Sequence, residues 1–202
     1  MDTTRILTPS ELALYRDHLL RLGAADRRLR FGTTVSDEAI EAFVARISPW
    51  DSRIIARFNH RLEVIAAVQV AVVSGPLAEL AFTVDEAERG RGLGTTLMNR
   101  ALLWARNRGV RRVCVYCRAE NHAMRRIAGR AGMAVNTSAG ESEGFVDVPR
   151  STPLSIAREF CSEQLGLWDY LFKAGHRSGT RWPVGVAAHF NLRCRHPQLQ
   201  AS

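Results

Sequence analysis

The sequence predicts an α+β fold in which helices flank a mixed, mostly antiparallel central sheet, with a further helical extension at the C-terminal end. Three observations support this class. Two helical patterns come first, a run of β-branched segments follows them, and strand and helix patterns then alternate. Such an order is typical of α+β domains. The 202 residues are 46% hydrophobic, which favours a folded core over disorder.

Periodicity predicts five elements in the first part of the chain. Helical segments carry apolar residues at every third or fourth position, whereas short runs rich in β-branched residues indicate strands. Ser36 is a typical helix N-cap, and Pro49 ends the helix that follows it. The expected elements are helices at 9–22 and 36–47 and strands at 53–58, 64–73 and 78–84.

The central part of the chain continues as helix, strand, helix and strand. The helix that begins at Leu93 has one apolar stripe containing Leu97, Ala101 and Trp104, and Gly109 ends it. The expected elements are a helix at 93–108, a strand at 112–116, a helix after Asn121 and a strand around 144–148.

A last helix is predicted from Thr152-Pro153, a typical cap and first helical position, to about Phe172. Phe160, Leu167 and Leu171 share one of its faces, together with Ile156, and this apolar face is expected to pack on the rest of the protein. We therefore expect one domain over residues 1–150, followed by a C-terminal helix and basic tail over 151–202.

Positive charge is concentrated after Asp169, mostly in the tail, residues 176–202. The chain has a formal net charge of +8. No acidic residue follows Asp169, whereas five cations do: Lys173, Arg177, Arg181, Arg193 and Arg195. Nucleic-acid binding by the main domain is therefore not expected. No apolar run is long enough to cross a bilayer, and the N-terminus lacks the apolar core of a secretory signal, so we expect a cytoplasmic protein without a membrane partner.

The cysteines give no clear metal site. Cys114-x-x-Cys117 has a spacing found in zinc sites, but no second close pair of cysteines follows it. On a strand, residues three apart point to opposite faces. We therefore expect reduced structural cysteines and no metal cofactor.

A glycine-rich turn separates the strand that ends at Val84 from the helix that begins at Leu93. It reads Arg89-Gly90-Arg91-Gly92-Leu93-Gly94-Thr95. Glycines let the backbone approach a ligand closely, and a helix N-terminus offers unpaired N–H groups and the positive end of its dipole. The turn is therefore predicted to bind the phosphates of a ligand.

Two common phosphate-binding loops do not match this turn. A P-loop needs a lysine between its last glycine and the Ser or Thr, whereas Gly94 is followed directly by Thr95. A dinucleotide-binding fingerprint needs a third glycine where Thr95 stands. It also needs an acidic residue after the next strand, which ends here in Cys117-Arg118.

Arg89-x-x-Gly92-x-Gly94 instead resembles the R/Q-x-x-G-x-G/A signature of the GNAT acyltransferase superfamily. The segment Ala78–Val84 looks like the fourth strand of that family. Glu120–Met124, followed by Ala131-Gly132-Met133, looks like the exit from its fifth strand and the next helix.

Further similarity lies near the N-terminus, where Leu29–Gly32 and Ser36-Asp37-Glu38 resemble the first helices of bacterial members related to protein lysine acetyltransferases. The resemblance covers roughly residues 5–150. It implies the GNAT fold and an N-acetyltransferase that uses acetyl-CoA as co-substrate.

The resemblance also implies roles for particular residues. The turn from Arg89 to Thr95 would hold the pyrophosphate of acetyl-CoA, and the backbone of Phe82, Thr83 and Val84 would pair with its pantetheine arm. Asn121 matches an asparagine that contacts CoA, although an asparagine at a helix start commonly serves as a cap. Arg125 would meet the 3′-phosphate or the adenine, the alternative being a solvated side chain.

Glu79 is the candidate general base. On the predicted strand it shares a face with Ala81 and Thr83. A carboxylate in an otherwise apolar strand is costly unless it is exposed or used, so a solvent-facing glutamate is the alternative interpretation. The resemblance implies a base that often acts through water. Many members also carry a tyrosine that protonates the CoA thiolate, and the matching position here is Ala128.

We therefore expect an N-acetyltransferase that moves an acetyl group to a primary amine, either a protein lysine or a small molecule. Two alternatives from other classes stay open. One is a non-catalytic acyl-CoA-binding regulatory module, and the other is a nucleic-acid-binding protein that uses the basic tail. A homodimer is a further open alternative.

Overall fold

The computed structural model describes residues 3–177; residues 178–202, which hold most of the predicted basic tail, lie outside it. Its strands are β1 (Arg5–Ile6), β2 (Ser52–Phe58), β3 (Val64–Ser74), β4 (Leu77–Val84), β5 (Arg112–Arg118), β6 (Ala134–Ser138) and β7 (Glu141–Asp147). Its helices are α1 (Leu12–Leu20), α2 (Ala24–Phe31), α3 (Asp37–Ala45), α4 (Leu93–Asn107), α5 (His122–Arg130) and α6 (Pro153–Arg177).

The seven strands form one mixed sheet in the order β1-β2-β3-β4-β5-β7-β6. Every neighbouring pair is antiparallel except β4 and β5, which are parallel. A parallel pair needs a crossover connection, and α4 supplies it. The predicted class, an α+β fold with a mostly antiparallel sheet flanked by helices, is confirmed.

The sheet has a hydrophobic core on each face. On one face α4 buries its predicted stripe, in which Leu97 and Ala101 are fully buried. On the other face α1 and α3 bury Tyr15, Leu19 and Ile40. Burying a Leu or Ile side chain contributes about 1.5–3 kcal/mol, so the two clusters fix the sheet between two helical layers.

Several elements differ from the sequence-based expectation. The first helix begins as a 3-10 turn at Pro9–Glu11, and α2 is a separate short helix before Gly32. The strands β1 and β6 were not predicted. β1 has only two residues, and β6 is a largely exposed edge strand, so neither carries the apolar alternation by which a strand is recognised.

The orientation of α6 contradicts the prediction. Phe160, Leu167 and Leu171 were expected to pack on the domain, yet all three are exposed. We call the exposed apolar side of this helix the outer face. It consists of Leu154, Ile156, Phe160, Leu165, Leu167, Trp168, Leu171 and Phe172.

The helix docks instead through a largely polar side, on which Tyr170 packs edge-on against Phe58. Asn107 Nδ2 donates to Glu159 Oε2 at 2.7 Å, and Arg100 forms an ion pair with Glu163. Farther along, Lys173 Nζ donates to the Phe58 carbonyl at 3.0 Å. The reason lies in α4, whose apolar stripe is already used against the sheet. Only the polar edge of α4 remains to contact α6. Polar groups of α6 pair with this edge, so the polar side of α6 faces the domain.

Gly166 marks the closest approach of α6 to the domain, because a Cβ added there would lie 2.3 Å from the Thr4 carbonyl oxygen. We expect Gly166→Ala to lower the free energy of unfolding by about 1–3 kcal/mol through this overlap. Gly129→Ala is the matched control, since the Gly129 Cβ would meet nothing within 4 Å on α5. It should be neutral or stabilising by up to about 1 kcal/mol. Urea denaturation of both variants measures the difference, and equal stabilities would contradict this account of the docking.

Candidate functional site

A cleft opens where β4 and β5 part. Their ladder contains only three residue pairs, the last of them Glu79 with Cys114. Both strands continue beyond it, β4 to Val84 and β5 to Arg118. The space between them is a cleft of about 380 Å³, within the usual range for small-molecule sites. The α1–α2 region and α5 supply the other walls.

The glycine-rich turn forms one end of this cleft. Gly90 and Gly92 have φ angles of +77° and +79°, a region that favours glycine over residues with a Cβ. Gly94 serves a different purpose, because a Cβ there would lie 2.5 Å from Ile127 Cδ1. Gly94 therefore lets α5 pack directly on α4, while the first two glycines let the chain turn into the helix.

The N-terminus of α4 has no side-chain cap. Its N-cap is Gly92, and the first intrahelical bond runs from the Thr96 N–H to the Gly92 carbonyl at 3.0 Å. By contrast, Ser36 caps α3 and Asn121 caps α5 with side-chain oxygens. The N–H groups of the first turn of α4 therefore have no side-chain acceptor, and their predicted role in binding an anion stays a prediction.

The charges around the turn are partly paired. Arg89 lies 2.5 Å from Asp26 of α2, and Arg91 lies 2.8 Å from Glu88. Of these two arginines, Arg89 lines the cleft. Arg126 and Arg130, one turn apart on α5, line the cleft as well, whereas the predicted Arg125 does not. Arg125 donates instead to the Ala119 carbonyl at 3.4 Å, and its proposed CoA contact stays a prediction.

The predicted pantetheine strand lies along the cleft. Phe82, Thr83 and Val84 all line it. On the side facing β3 they belong to a continuous antiparallel ladder, but the ladder to β5 has already ended. A strand edge of this kind can pair with a further extended chain.

The side chain of Thr83 is held by a buried histidine on α1. His18 is fully buried, and its Nε2 lies 2.8 Å from the Thr83 hydroxyl oxygen. Its Nδ1 is within ion-pair distance of Asp85 Oδ1, at 2.9 Å, and Asp85 is also 3.3 Å from Arg21. Burial raises the pKa of Asp85, but His18 and Arg21 together hold that pKa below its usual value. The contacts tie α1 to the cleft strand.

Glu79 is placed at the closed end of the cleft, as the last residue of β4 that pairs with β5. Its side chain shares the sheet face of Thr83, while Leu80 and Phe82 pack toward α4, as the alternation predicted. Glu79 does not line the cleft itself. Tyr116, which does, is half exposed and packs edge-on against Phe145.

The two cysteines of the C-x-x-C spacing carry raised pKa values. Burial raises the pKa of both thiols, and the charge of Glu79 adds to the effect at Cys114. Neutral thiols are poor metal ligands. Within residues 3–177 no group of three possible ligands lies close enough to hold a metal ion. None of the helices in this range is long and apolar enough to span a membrane.

Sequence reasoning missed the residues that the connection after α1, helix α2 and helix α5 bring to the site. Leu22 lines the cleft from the connection between α1 and α2, and Asp26 and Arg30 line it from α2. Arg126 and Arg130 have the i, i+4 spacing of one helix face, a signal that was available once Asn121 had been recognised as the helix start. The contact of His18 with Thr83, 65 residues away, has no sequence signal.

We predict that Thr83→Val destabilises the protein by about 1–3 kcal/mol, because it leaves a buried nitrogen of His18 without a hydrogen-bond partner. Thr83→Ser keeps the hydroxyl and is the control, with a smaller loss expected from the missing methyl group. Chemical denaturation monitored by circular dichroism compares the two. A valine variant as stable as the serine variant would show that this hydrogen bond contributes nothing.

The chain matches the model of the acetyltransferase (GNAT) family over residues 21–133. Among solved structures, the GNAT domain of S. lividans PAT has a TM-score of 0.61 at 21% identity, with 71% of this chain and 89% of that chain covered. At this sequence identity, the similarity shows a shared fold.

Two ligand-bound structures are similarly related. Spermidine N-acetyltransferase from Vibrio cholerae, solved with CoA and spermine, has a TM-score of 0.60 at 15% identity and covers 72% of this chain and 95% of its own. A phosphinothricin acetyltransferase from Sinorhizobium meliloti, solved with acetyl-CoA, has a TM-score of 0.57 at 15% identity and covers 75% and 90%.

Proposed function

Because this chain belongs to the GNAT acetyltransferase family, we propose that it transfers an acetyl group from acetyl-CoA directly to a primary amine. The observation that carries the proposal is the coincidence of an uncapped helix N-terminus with an unpaired strand edge in one cleft. The first suits a pyrophosphate, and the second suits the two amide groups of a pantetheine arm. Together they fit an acyl-CoA.

The donor site would use backbone more than side chains. The N–H groups of Leu93, Gly94 and Thr95 would bind the pyrophosphate, while Phe82 to Val84 would hold the pantetheine arm. Arg126 and Arg130 line the same cleft and would add positive charge on its α5 side. The bound thioester supplies an activated acetyl group, and orienting it against an amine is the main task left to the protein.

Glu79 would serve as general base. An amine attacks only when neutral, and a lysine amine with an ordinary pKa of about 10.4 is almost entirely protonated near neutral pH. Glu79 ends the β4–β5 ladder next to the cleft, on the sheet face shared with Thr83. Since it does not line the cleft, we propose that it takes the proton through a bridging water.

The acceptor is proposed as a class only. The relatives include a spermidine N-acetyltransferase crystallised with spermine. For this chain, a protein lysine or a small-molecule amine is proposed. A screen of polyamines, amino acids and lysine peptides for CoA release, corrected for hydrolysis, tests the function. Tight acetyl-CoA binding with no turnover on any amine would favour a non-catalytic module instead.

We predict that Gly92→Asp strongly weakens acetyl-CoA binding, because the new carboxylate would repel the pyrophosphate at the N-terminus of α4. Gly109→Asp is the matched control. Gly109 follows the same helix and has a φ of +78°, so it imposes the same backbone strain far from the cleft. Isothermal titration calorimetry should show a loss of at least about tenfold at Gly92, corresponding to about 1.4 kcal/mol, and unchanged affinity at Gly109. Equal affinities would place the pyrophosphate elsewhere.

We predict that Glu79→Gln lowers turnover by about 10²–10⁴-fold while acetyl-CoA affinity is kept, since a general base is removed. The deficit should shrink at high pH, where more of the amine is already neutral. Glu86→Gln, an exposed carboxylate just after β4, is the control and should keep full activity. A rate for Glu79→Gln within about threefold of wild type, or about 0.7 kcal/mol, would remove Glu79 from the mechanism.

A further inference from the structure

Arg30 of α2 is a cation of the cleft whose partners are all neutral. The two acidic residues that line the cleft are paired with other arginines: Asp26 lies 2.5 Å from Arg89, and Glu88 lies 2.8 Å from Arg91. Arg30 lines the same cleft, but within residues 3–177 its contacts are an amide oxygen and two aromatic rings. A guanidinium is always charged, and a partly buried charge is costly unless an opposite charge meets it.

These neutral groups fix the position of the Arg30 guanidinium. Its Nη2 donates to Gln69 Oε1 at 2.6 Å, and Gln69 Nε2 donates in turn to Ser52 Oγ at 3.0 Å. Its Cζ lies 4.8 Å from the centre of the Phe31 ring and 5.4 Å from that of Phe43, within the range of cation–π contacts. Its Nε is buried without a hydrogen-bond partner. A positioned guanidinium that is not neutralised suits a carboxylate, which accepts two parallel hydrogen bonds.

Arg30 reaches the cleft beside the proposed base. Gln69, to which it is bonded, lies directly opposite Ala81 in the β3–β4 ladder. Opposite residues of an antiparallel ladder share a face of the sheet, and Ala81 stands between Glu79 and Thr83 on that face. A carboxylate bound to Arg30 would therefore lie only a few bonds from an amine that gives its proton to Glu79.

The phosphates of the donor do not account for Arg30. The phosphate-binding turn leads into α4, and α5, which carries Arg126 and Arg130, packs on α4 through Ile127. These groups belong to one face of the sheet. The Phe31 ring beside Arg30 packs instead on the hydrophobic cluster of α1 and α3, on the opposite face. Arg30 thus lies on the face that the proposed phosphate site does not use.

We propose that the acceptor is a small amine with a carboxylate a few bonds from the reacting nitrogen, as in an amino acid, and that Arg30 binds this carboxylate. The inference rests on the proposed acetyltransferase activity and narrows its acceptor. The same positive charge would disfavour a polyamine, because a second ammonium group would have to lie beside the guanidinium.

Arg30 positions the acceptor and takes no part in the bonds that change. The neutral amine nitrogen attacks the thioester carbonyl, and the new C–N bond replaces the C–S bond. The amine proton passes through water to Glu79 and from there to solvent. The CoA thiolate leaves and takes up a proton from solvent, so the products are an N-acetylated amino acid and free CoA.

Pairs of acceptors that differ only in the carboxylate test this proposal in the full-length protein. Amino acids with the amine on the α, β or γ carbon are compared with their carboxamides by the release of CoA, each kcat/KM being corrected for hydrolysis and for the fraction of neutral amine. Wild type should prefer the best amino acid over its carboxamide by about tenfold to a hundredfold, as expected for a charge-assisted pair. Spermine should be at least about tenfold poorer than that amino acid.

Variants of two arginines on α2 assign the preference to one side chain. Arg30→Gln should remove the preference, chiefly by raising KM for the amino acid, and Arg30→Lys should restore part of it because the charge is kept. Arg28→Gln is the matched control, since Arg28 pairs with Glu120 at 3.4 Å and does not line the cleft. It should keep the wild-type preference. Isothermal titration with acetyl-CoA checks that each variant is folded.

The outcomes separate this inference from the activity on which it rests. Turnover of amines with equal kcat/KM for both members of every pair would overturn the role of Arg30 and leave the acetyltransferase proposal standing. The same holds if Arg30→Gln binds acetyl-CoA and loses activity equally on both members, since Arg30 would then only support α2. A preference confined to lysine peptides with a neighbouring acidic residue would overturn the small-molecule assignment. No turnover on any amine would overturn both proposals.

Discussion

The early end of the β4–β5 ladder is the constraint on which the candidate site depends. Backbone N–H and C=O groups need partners, and a strand edge without one is an open position for another chain or ligand. Here the strands part after Glu79, and the N-terminus of α4 opens into the same space without a cap. Two sets of backbone groups, one outside the strand ladder and one without a helix cap, thus face the same cleft.

The two helical layers keep this opening in place. On one face α4 buries Leu97 and Ala101 against the sheet, which anchors the helix whose N-terminus forms the end of the cleft. On the other face His18 fixes Thr83 of the cleft strand. Leaving a hydrogen-bonding group of the strand edge without a partner costs up to about 1–3 kcal/mol. Burying one or two large side chains of α4 gains a similar free energy, so the packing of the helix offsets this cost. Packing on both sides therefore supports a strand edge that remains available to a ligand.

The orientation of α6 depends on which apolar surfaces the sheet has already buried. Once α4 has committed its stripe to the sheet, only Arg100, Asn107 and other polar groups remain on its outer edge. A second helix can dock there only by offering acceptors, and Glu159 and Glu163 are those acceptors. Burial raises the pKa of Glu163 even though Arg100 lies beside it. The docking of α6 therefore depends on the pairing of this buried carboxylate with Arg100.

Much of the candidate site could be read from local sequence. Three features of the site are properties of short segments: the positive φ at Gly90 and Gly92, the cap at Asn121 and the alternation along β4. The resemblance to the GNAT signature predicted that they belong to one site. The shared helix face of Arg126 and Arg130 could also have been predicted from helical periodicity. Asp26 and His18 were not, because nothing in the sequence states which distant helix meets the cleft strand.

The sequence by itself determined the class of fold, the glycine-rich turn before α4, the two faces of β4 and the apolar stripes of α4 and α6. Those features depend on periods of two or 3.6 residues and on glycine or cap chemistry, all of which are local. Only the tertiary structure decided where β4 and β5 part and which side of α6 meets the domain. Periodicity shows that a helix has an apolar side, but the partner for that side depends on which surfaces the rest of the chain has already used.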